Sequence, residues 1–191
     1  MTLFENRYRV ESTRLTAWDY SLRGWYFVTL CTEDKKCSLG RTANGQIVLS
    51  DAGRIAETEM KAVSSHYVNV VIDRYVVMPN HVHALIVIEG DHIYSPVETR
   101  LAASPARTHG LLSQIVGSYK AGVSRICHAK GISGFAWQSR FHDHVLRSNA
   151  SVNAVREYIE HNPRNWLEDP DNPGTTGGDA ASRVSTAISR L

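Results

Sequence analysis

The segment Pro79-Asn80-His81-Val82-His83 runs straight into an aliphatic stretch, Ala84-Leu85-Ile86-Val87-Ile88. Side chains alternate along a strand, so His81 and His83 point to one face, where their ring nitrogens can hold a single divalent ion. Exposed or hydrogen-bonded imidazoles fit the same spacing in a chain with nine histidines. A second pair, His142 and His144, shares the one-face geometry and makes a rival site conceivable. Farther on, Tyr158 and Asn162 stand four residues apart at the edge of an apolar stripe formed by Val152, Val155 and Ile159. One helix face thereby offers a phenol and an amide together. A tyrosine packed by its ring, with its hydroxyl in water, gives the same pattern.

Several chemistries are excluded by what is missing around these residues. Metal-dependent barrel hydrolases that start a strand with His-x-His need roughly 250 residues, and this chain has 191. A histidine-triad nucleotide hydrolase wants a third histidine where Leu85 stands, and a β-lactamase-like metal site wants further Asp or His just downstream. Cys31, Cys37 and Cys127 form no Cys-x-x-Cys and leave one unpaired, which argues against a disulfide framework or a cysteine zinc knuckle. They are read as packing or incidental residues.

The elements that must position these groups follow from periodicity. Residues 25–31, WYFVTLC, read as a buried strand. A turn region with Gly40 and Asn44-Gly45 comes next, and Ser50 or Asp51 caps a helix carrying Ile55, Met60 and Val63. Residues 68–78 and 83–88 are two strands joined at Pro79-Asn80, and residues 89–110 form a long connecting loop. The clearest helix covers 111–130, with Leu112, Ile115, Val116, Tyr119, Val123 and Ile126 on one stripe and Gly131 as its stop. A short strand at 141–147 and a last helix, capped by Ser148 or Asn149 and ending before Pro163, complete the order. This is an α+β chain of the ferredoxin-like split β-α-β-β-α-β type, with an extra C-terminal helix carrying the tyrosine. Residues 1–24 are expected to be a basic N-terminal arm, 25–168 the folded domain and 169–191 a flexible tail.

Apolar residues make up 42% and charged residues 21% of the chain, as in globular domains, so a fibrous or wholly disordered chain is excluded. The formal net charge of +2 hides an asymmetry. Residues 101–165 carry eight Lys or Arg against three acids, while 51–100 carry four against seven. A polyanionic partner or an ordinary solvated face accounts equally for that basic stretch. The absence of a signal-peptide core or an apolar run approaching ~20 residues predicts a cytoplasmic protein with no membrane partner.

Four motifs in order, VVMPNHVHALIVI, GSYKAGVSR, WQSRFHDHVLR and REYIEHNPRNW, resemble the single-tyrosine HUH transposases of the IS200/IS605 group. The likeness is to their REP-associated branch, whose members act on palindromic repeats. The N-terminal ESTRL and WDYSLRGWYFVTLCT fit the same branch, so the resemblance spans roughly residues 7–168. It implies a metal-dependent endonuclease and strand transferase acting on single-stranded or hairpin DNA through a 5′-phosphotyrosine. The nucleophile falls on Tyr158, and the metal ligands fall on His81, His83 and Asn162. Mg²⁺ is the expected ion, with Mn²⁺ as its substitute, although ligand softness alone also admits Zn²⁺.

The same resemblance gives the His142-Asp143-His144 strand, and His144 in particular, a supporting or DNA-contacting role. Lys120, Arg125, Arg140 and Arg147, with Lys130, Arg156 and Arg164 nearby, become phosphate contacts. Trp137, Phe141 and Tyr119 become stacking candidates, with core packing as the competing role. Arg7, Arg9 and Arg14 of the arm are placed along a hairpin stem. IS200-type relatives exchange tyrosine helices in dimers, whereas the REP-associated branch favours a monomer; a homodimer stays open. A nucleoid-associated location is implied. The alternative function is a domesticated, non-cleaving hairpin-binding protein.

Overall fold

The computed structural model describes residues 3–4, 8–9, 20, 22–43, 46–90, 110–169 and 171–174. Two short ladders stand apart from the main sheet. One pairs β1 (Leu3–Phe4) with β2 (Tyr8–Arg9), and the other pairs β4 (Gly40–Ala43) with β5 (Gln46–Leu49). The main sheet contains β3 (Gly24–Cys31), β6 (Val70–Val77), β7 (His81–Ile88) and β8 (His142–Leu146) in the spatial order β6-β7-β3-β8. Every pairing in it is antiparallel. Helix α1 (Asp51–His66) links β3 to β6, α2 (Leu111–Ala129) links β7 to β8, and α3 (Asn149–His161) follows β8. The six central elements run β-α-β-β-α-β, and each linking helix joins strands that have one other strand between them.

Strand alternation divides the sheet into two faces. Tyr26, Val28 and Leu30 of β3 and Val82, Ala84, Ile86 and Ile88 of β7 form the main core with α1 and α2. Those helices contribute Ile55, Ala56, Met60, Leu112, Ile115, Val116, Tyr119 and Val123 to it. The intervening residues Phe27 and Leu85 join Leu146 and α3's Val152, Val155 and Ile159 in a smaller cluster on the opposite face. Three layers result, with α1 and α2 below the sheet and α3 above.

Helix ends follow the expected chemistry. Ser50 Oγ accepts from the Gly53 amide at 3.1 Å, and Ser148 Oγ accepts from Ser151 at 3.2 Å, each satisfying one of the orphan donors of a first turn. Gly53 is also required by space, since a Cβ there would lie 2.0 Å from the Leu39 carbonyl oxygen.

Three differences from the sequence reading stand out. The β4–β5 hairpin replaces a turn region; its strands, four residues each, are too short for periodicity to detect. Strand β7 begins at His81 rather than 83, so both histidines sit within the ladder, and His81 pairs across from Cys31. Asp169 and Asp171 are buried where a flexible tail is expected to begin. Most of the expected N-terminal arm, including Arg7 and Arg14, lies outside the described residues, as do 91–109 of the long loop and 175–191 of the tail. Among the described residues no helix is long and apolar enough to cross a membrane.

Candidate active site

His81 and His83 are fully buried on the α3 face of β7. The surroundings of His81 decide which ring nitrogen it presents. Asn80 Nδ2 donates to the carbonyls of Lys35 at 3.0 Å and Asp171 at 2.7 Å. That orientation turns Asn80 Oδ1 toward His81 Nδ1 at 2.9 Å. Since Oδ1 can only accept, the His81 proton resides on Nδ1 and its Nε2 lone pair faces inward. His81 Nε2 is buried with no hydrogen-bond partner. An orphan of this kind is costly, about 1–3 kcal/mol, unless a ligand completes it.

His83 is held from both sides. Thr29 Oγ1 lies 2.9 Å from its Nδ1, and the Tyr158 hydroxyl lies 3.3 Å from its Nε2. Tyr158 reaches this point because the Val152, Val155 and Ile159 stripe seats α3 on Phe27 and Leu85. Its ring also meets Phe27 edge-on, with centroids 5.9 Å apart. One turn later, Asn162 Nδ2 donates to Asp169 Oδ2 at 3.1 Å, while Asn162 Oδ1 is buried without a partner. Asp169 is the member that the sequence reading missed. One ligand atom each from His81, His83 and Asp169 falls within 4.8 Å of the others, and all three residues are buried. No spacing rule links an aspartate eight residues past the helix end to a distant strand; Asn162, which grips its carboxylate, was the available pointer.

Electrostatics follow from burial. Desolvation, with help from the Lys35 charge, depresses the His81 proton affinity to about 3. Burial and then its neighbour His81 hold His83 well below its ordinary value. Both rings are therefore neutral at pH 7, the form that binds metal. Burial raises the Asp169 carboxyl. The Tyr158 phenol is raised by burial first and then by Asp169 and Asp171, with the Asn162 amide opposing. Cys31, across from His81, is pushed up to about 12 by burial and then Asp171, so it remains an inert thiol. The inward His81 lone pair, the neighbouring His83 ring, the convergent carboxylate and the orphaned Asn162 oxygen fit a divalent cation, whose charge would offset that of Asp169 and favour an ionised phenol.

An uncharacterized protein of Haemophilus influenzae is 32% identical over 162 residues, covering 83% of this chain and 90% of its own. A REP-associated tyrosine transposase, solved bound to a REP hairpin, superposes with a TM-score of 0.50 at 18% identity, covering 87% of this chain and 93% of that one. No family model matches. The chain belongs to one family with the Haemophilus protein and has the single-tyrosine transposase fold.

Within this transposase fold the remaining expected residues fall into distinct settings. Arg125, Arg140 and Arg147 are exposed. Lys120 is half-buried, and its ammonium donates to the carbonyls of Gln138 and of Arg140, the latter at 3.3 Å, which ties α2 to the stretch before β8. Arg156 is engaged as well, forming a bidentate pair with Asp73 at 2.8 Å for both bonds and lying 5.1 Å over the Trp25 ring. Tyr119 is core, its hydroxyl donating to the Ala56 carbonyl at 3.1 Å. Arg9 is placed by its backbone in β2.

The second histidine pair lies on the active-site face. His142 pairs with Thr29, and His144 with Phe27, so β8 continues the row that starts at His83. Both imidazoles are half-buried. Among the described residues, the one group that brings three His, Cys, Asp or Glu ligand atoms together is His81, His83 and Asp169.

Proposed function

We propose that the protein is a metal-dependent endonuclease and strand transferase that acts on single-stranded DNA at hairpins or palindromic repeats, with Tyr158 as nucleophile. The observation that carries this reading is the placement of the Tyr158 hydroxyl 3.3 Å from His83 Nε2, beside the ligand atoms of His81 and Asp169. The structural neighbour's REP hairpin supports the choice of substrate.

A divalent ion held by His81, His83 and Asp169, with Asn162 Oδ1 in reach, would polarise the scissile phosphate and offset the charge developing on its oxygens. Tyr158 supplies the covalent step. Its oxygen bonds to phosphorus as the bond from phosphorus to the 3′ oxygen breaks, giving a 5′-phosphotyrosine and a free 3′-hydroxyl. The phenol proton is lost as the 3′ oxygen gains one. Attack by a 3′-hydroxyl on the phosphotyrosine reverses the sequence and rejoins a strand, because the phosphodiester energy is retained.

The chain's own residues hold this arrangement ready. Asn80 and Thr29 fix the two rings, Asn162 fixes Asp169, and the apolar seat of α3 fixes the tyrosine. Tyr158 stands over His83 of its own chain, so one copy supplies the whole constellation, which supports a monomer. Arg125, Arg140 and Arg147 are assigned to phosphate contacts, with His142 and His144 as supporting groups. The place of action is the nucleoid in the cytoplasm.

The decisive experiment incubates the protein with Mg²⁺ or Mn²⁺ and single strands from the DNA flanking its own gene, then resolves covalent adducts on a denaturing gel. The wild type is expected to form an adduct; Tyr158→Phe is expected to bind the DNA and form none. An adduct with the variant rejects Tyr158, and tight hairpin binding with no adduct under either ion assigns the protein to the non-cleaving class.

A further inference from the structure

The turn after β3 carries a cation, Lys35, that has no part in the chemistry proposed for Tyr158. Asp34 and Lys35 both have φ of +52°, a left-handed conformation uncommon for residues other than glycine. The turn is pinned at both ends. Thr32 Oγ1 donates to the Lys36 carbonyl at 2.7 Å, and Lys35's own carbonyl accepts from Asn80 Nδ2. Asn80 is the same side chain that fixes the His81 tautomer, so Lys35 and the first metal-ligating imidazole are oriented by one amide.

The outcome of this strained, pinned backbone is the position of an ammonium group. Lys35 Nζ lies 3.1 Å from Asp171 Oδ1, with the lysine side chain 44% exposed and the aspartate 11%. The Asp171 amide in turn donates to Asp169 Oδ1 at 2.7 Å. The half-exposed cation is therefore linked to the Asp169 carboxylate through Asp171. Its field reaches the interior, where it disfavours protonation of His81 and favours ionised Asp169. A half-exposed ion pair adds little to stability, whereas strained backbone gathers at working sites. Its partner Asp171 is a carboxylate, which presents the same charged oxygens as a phosphate.

We propose that Lys35 binds a backbone phosphate of the DNA strand entering the site, exchanging Asp171 for a phosphate oxygen. The proposal rests on the reading of this site as one that takes a DNA strand. Asp171 then acts as a stand-in anion that holds the lysine in place until DNA arrives, and removing it should favour DNA through Lys35.

The test uses the full chain carrying Tyr158→Phe, in EDTA, with a fluorescent single strand from the DNA flanking the gene, and follows anisotropy across a salt series. Lys35→Met and Lys35→Gln should bind several-fold more weakly, with the slope of log affinity against log salt shallower by about 0.7. Lys35→Arg should keep the parent slope. Asp171→Asn should tighten binding in the parent and lose that gain in the Lys35→Met background. An unchanged slope in both Lys35 variants, or an Asp171→Asn gain that survives without Lys35, overturns the proposal. A parent that binds no DNA overturns the site reading and this proposal together; a parent that binds, with Lys35 indifferent, overturns this proposal alone.

Discussion

Two faces of one sheet use the same strands for opposite purposes. On the α1–α2 face, β3 and β7 present Tyr26, Val28, Leu30, Val82, Ala84 and Ile86 to a continuous apolar core. On the α3 face, one residue away along each strand, they present Phe27, Thr29, His81, His83 and Leu85. The first face gains roughly 1.5–3 kcal/mol for each large side chain it buries. The second buries neutral imidazoles, amides and carboxylates, each of which needs a partner to offset its desolvation. Stability is concentrated on one side, and the chain can therefore carry incompletely satisfied polar atoms on the other.

The largest effect is expected on the apolar face. Ile86→Ala should lower unfolding free energy by about 2–5 kcal/mol and leave metal affinity unchanged, as read by denaturant melts and by Mn²⁺ titration of the folded variant. A comparable loss of metal affinity would show that the two faces are not separable.

A saturating divalent ion should stabilise through the polar face alone. At an ion concentration 100-fold above Kd the gain is about 2.7 kcal/mol, visible as an upward shift in Tm that EDTA reverses. Asp169→Asn and His83→Ala should each abolish most of that shift. Retention of the full shift in Asp169→Asn would remove the carboxylate from the site.

Acid should act on the polar face first. The histidine proton affinities are lower in the folded chain than the ordinary value of 6.5, reaching about 3 for His81, so the unfolded chain binds more protons between these limits. Stability is then full above pH 6.5 and falls as the pH drops below it, by up to about 1.4 kcal/mol per pH unit for each histidine. Melts in EDTA from pH 7.5 to 4.5 should show this slope in the wild type and a shallower one in His81→Gln.

The smallest effect belongs to the exposed arginines. Arg125→Ala and Arg140→Ala should change stability by no more than about 0.5 kcal/mol while making the salt dependence of single-strand binding shallower by about 0.7 each. A stability loss without a change in salt slope would place them with Lys120 as structural residues.

Much of this architecture is legible without coordinates. The stripe from Leu112 to Val123 is set by helical periodicity and the strand at 25–31 by its aromatic and β-branched content, and such local signals survive tertiary packing when they agree with it. The pairing of His81 with His83, and of Tyr158 with Asn162, follows from the two- and four-residue repeats of strand and helix. The β4–β5 hairpin is too short to show a repeat.

What the sequence by itself determined was thus which groups share a face of one element. Only the tertiary structure decided which faces meet. It laid α3 across β7 so that Tyr158 reaches His83, folded Asp169 back beneath Asn162, and set Lys35 against Asp171. Those contacts join residues 75, 7 and 136 positions apart. Even the shortest of them crosses the end of a helix, beyond which no repeat carries side-chain direction forward. Distances across such breaks are fixed by how the apolar stripes of separate elements fill a common core.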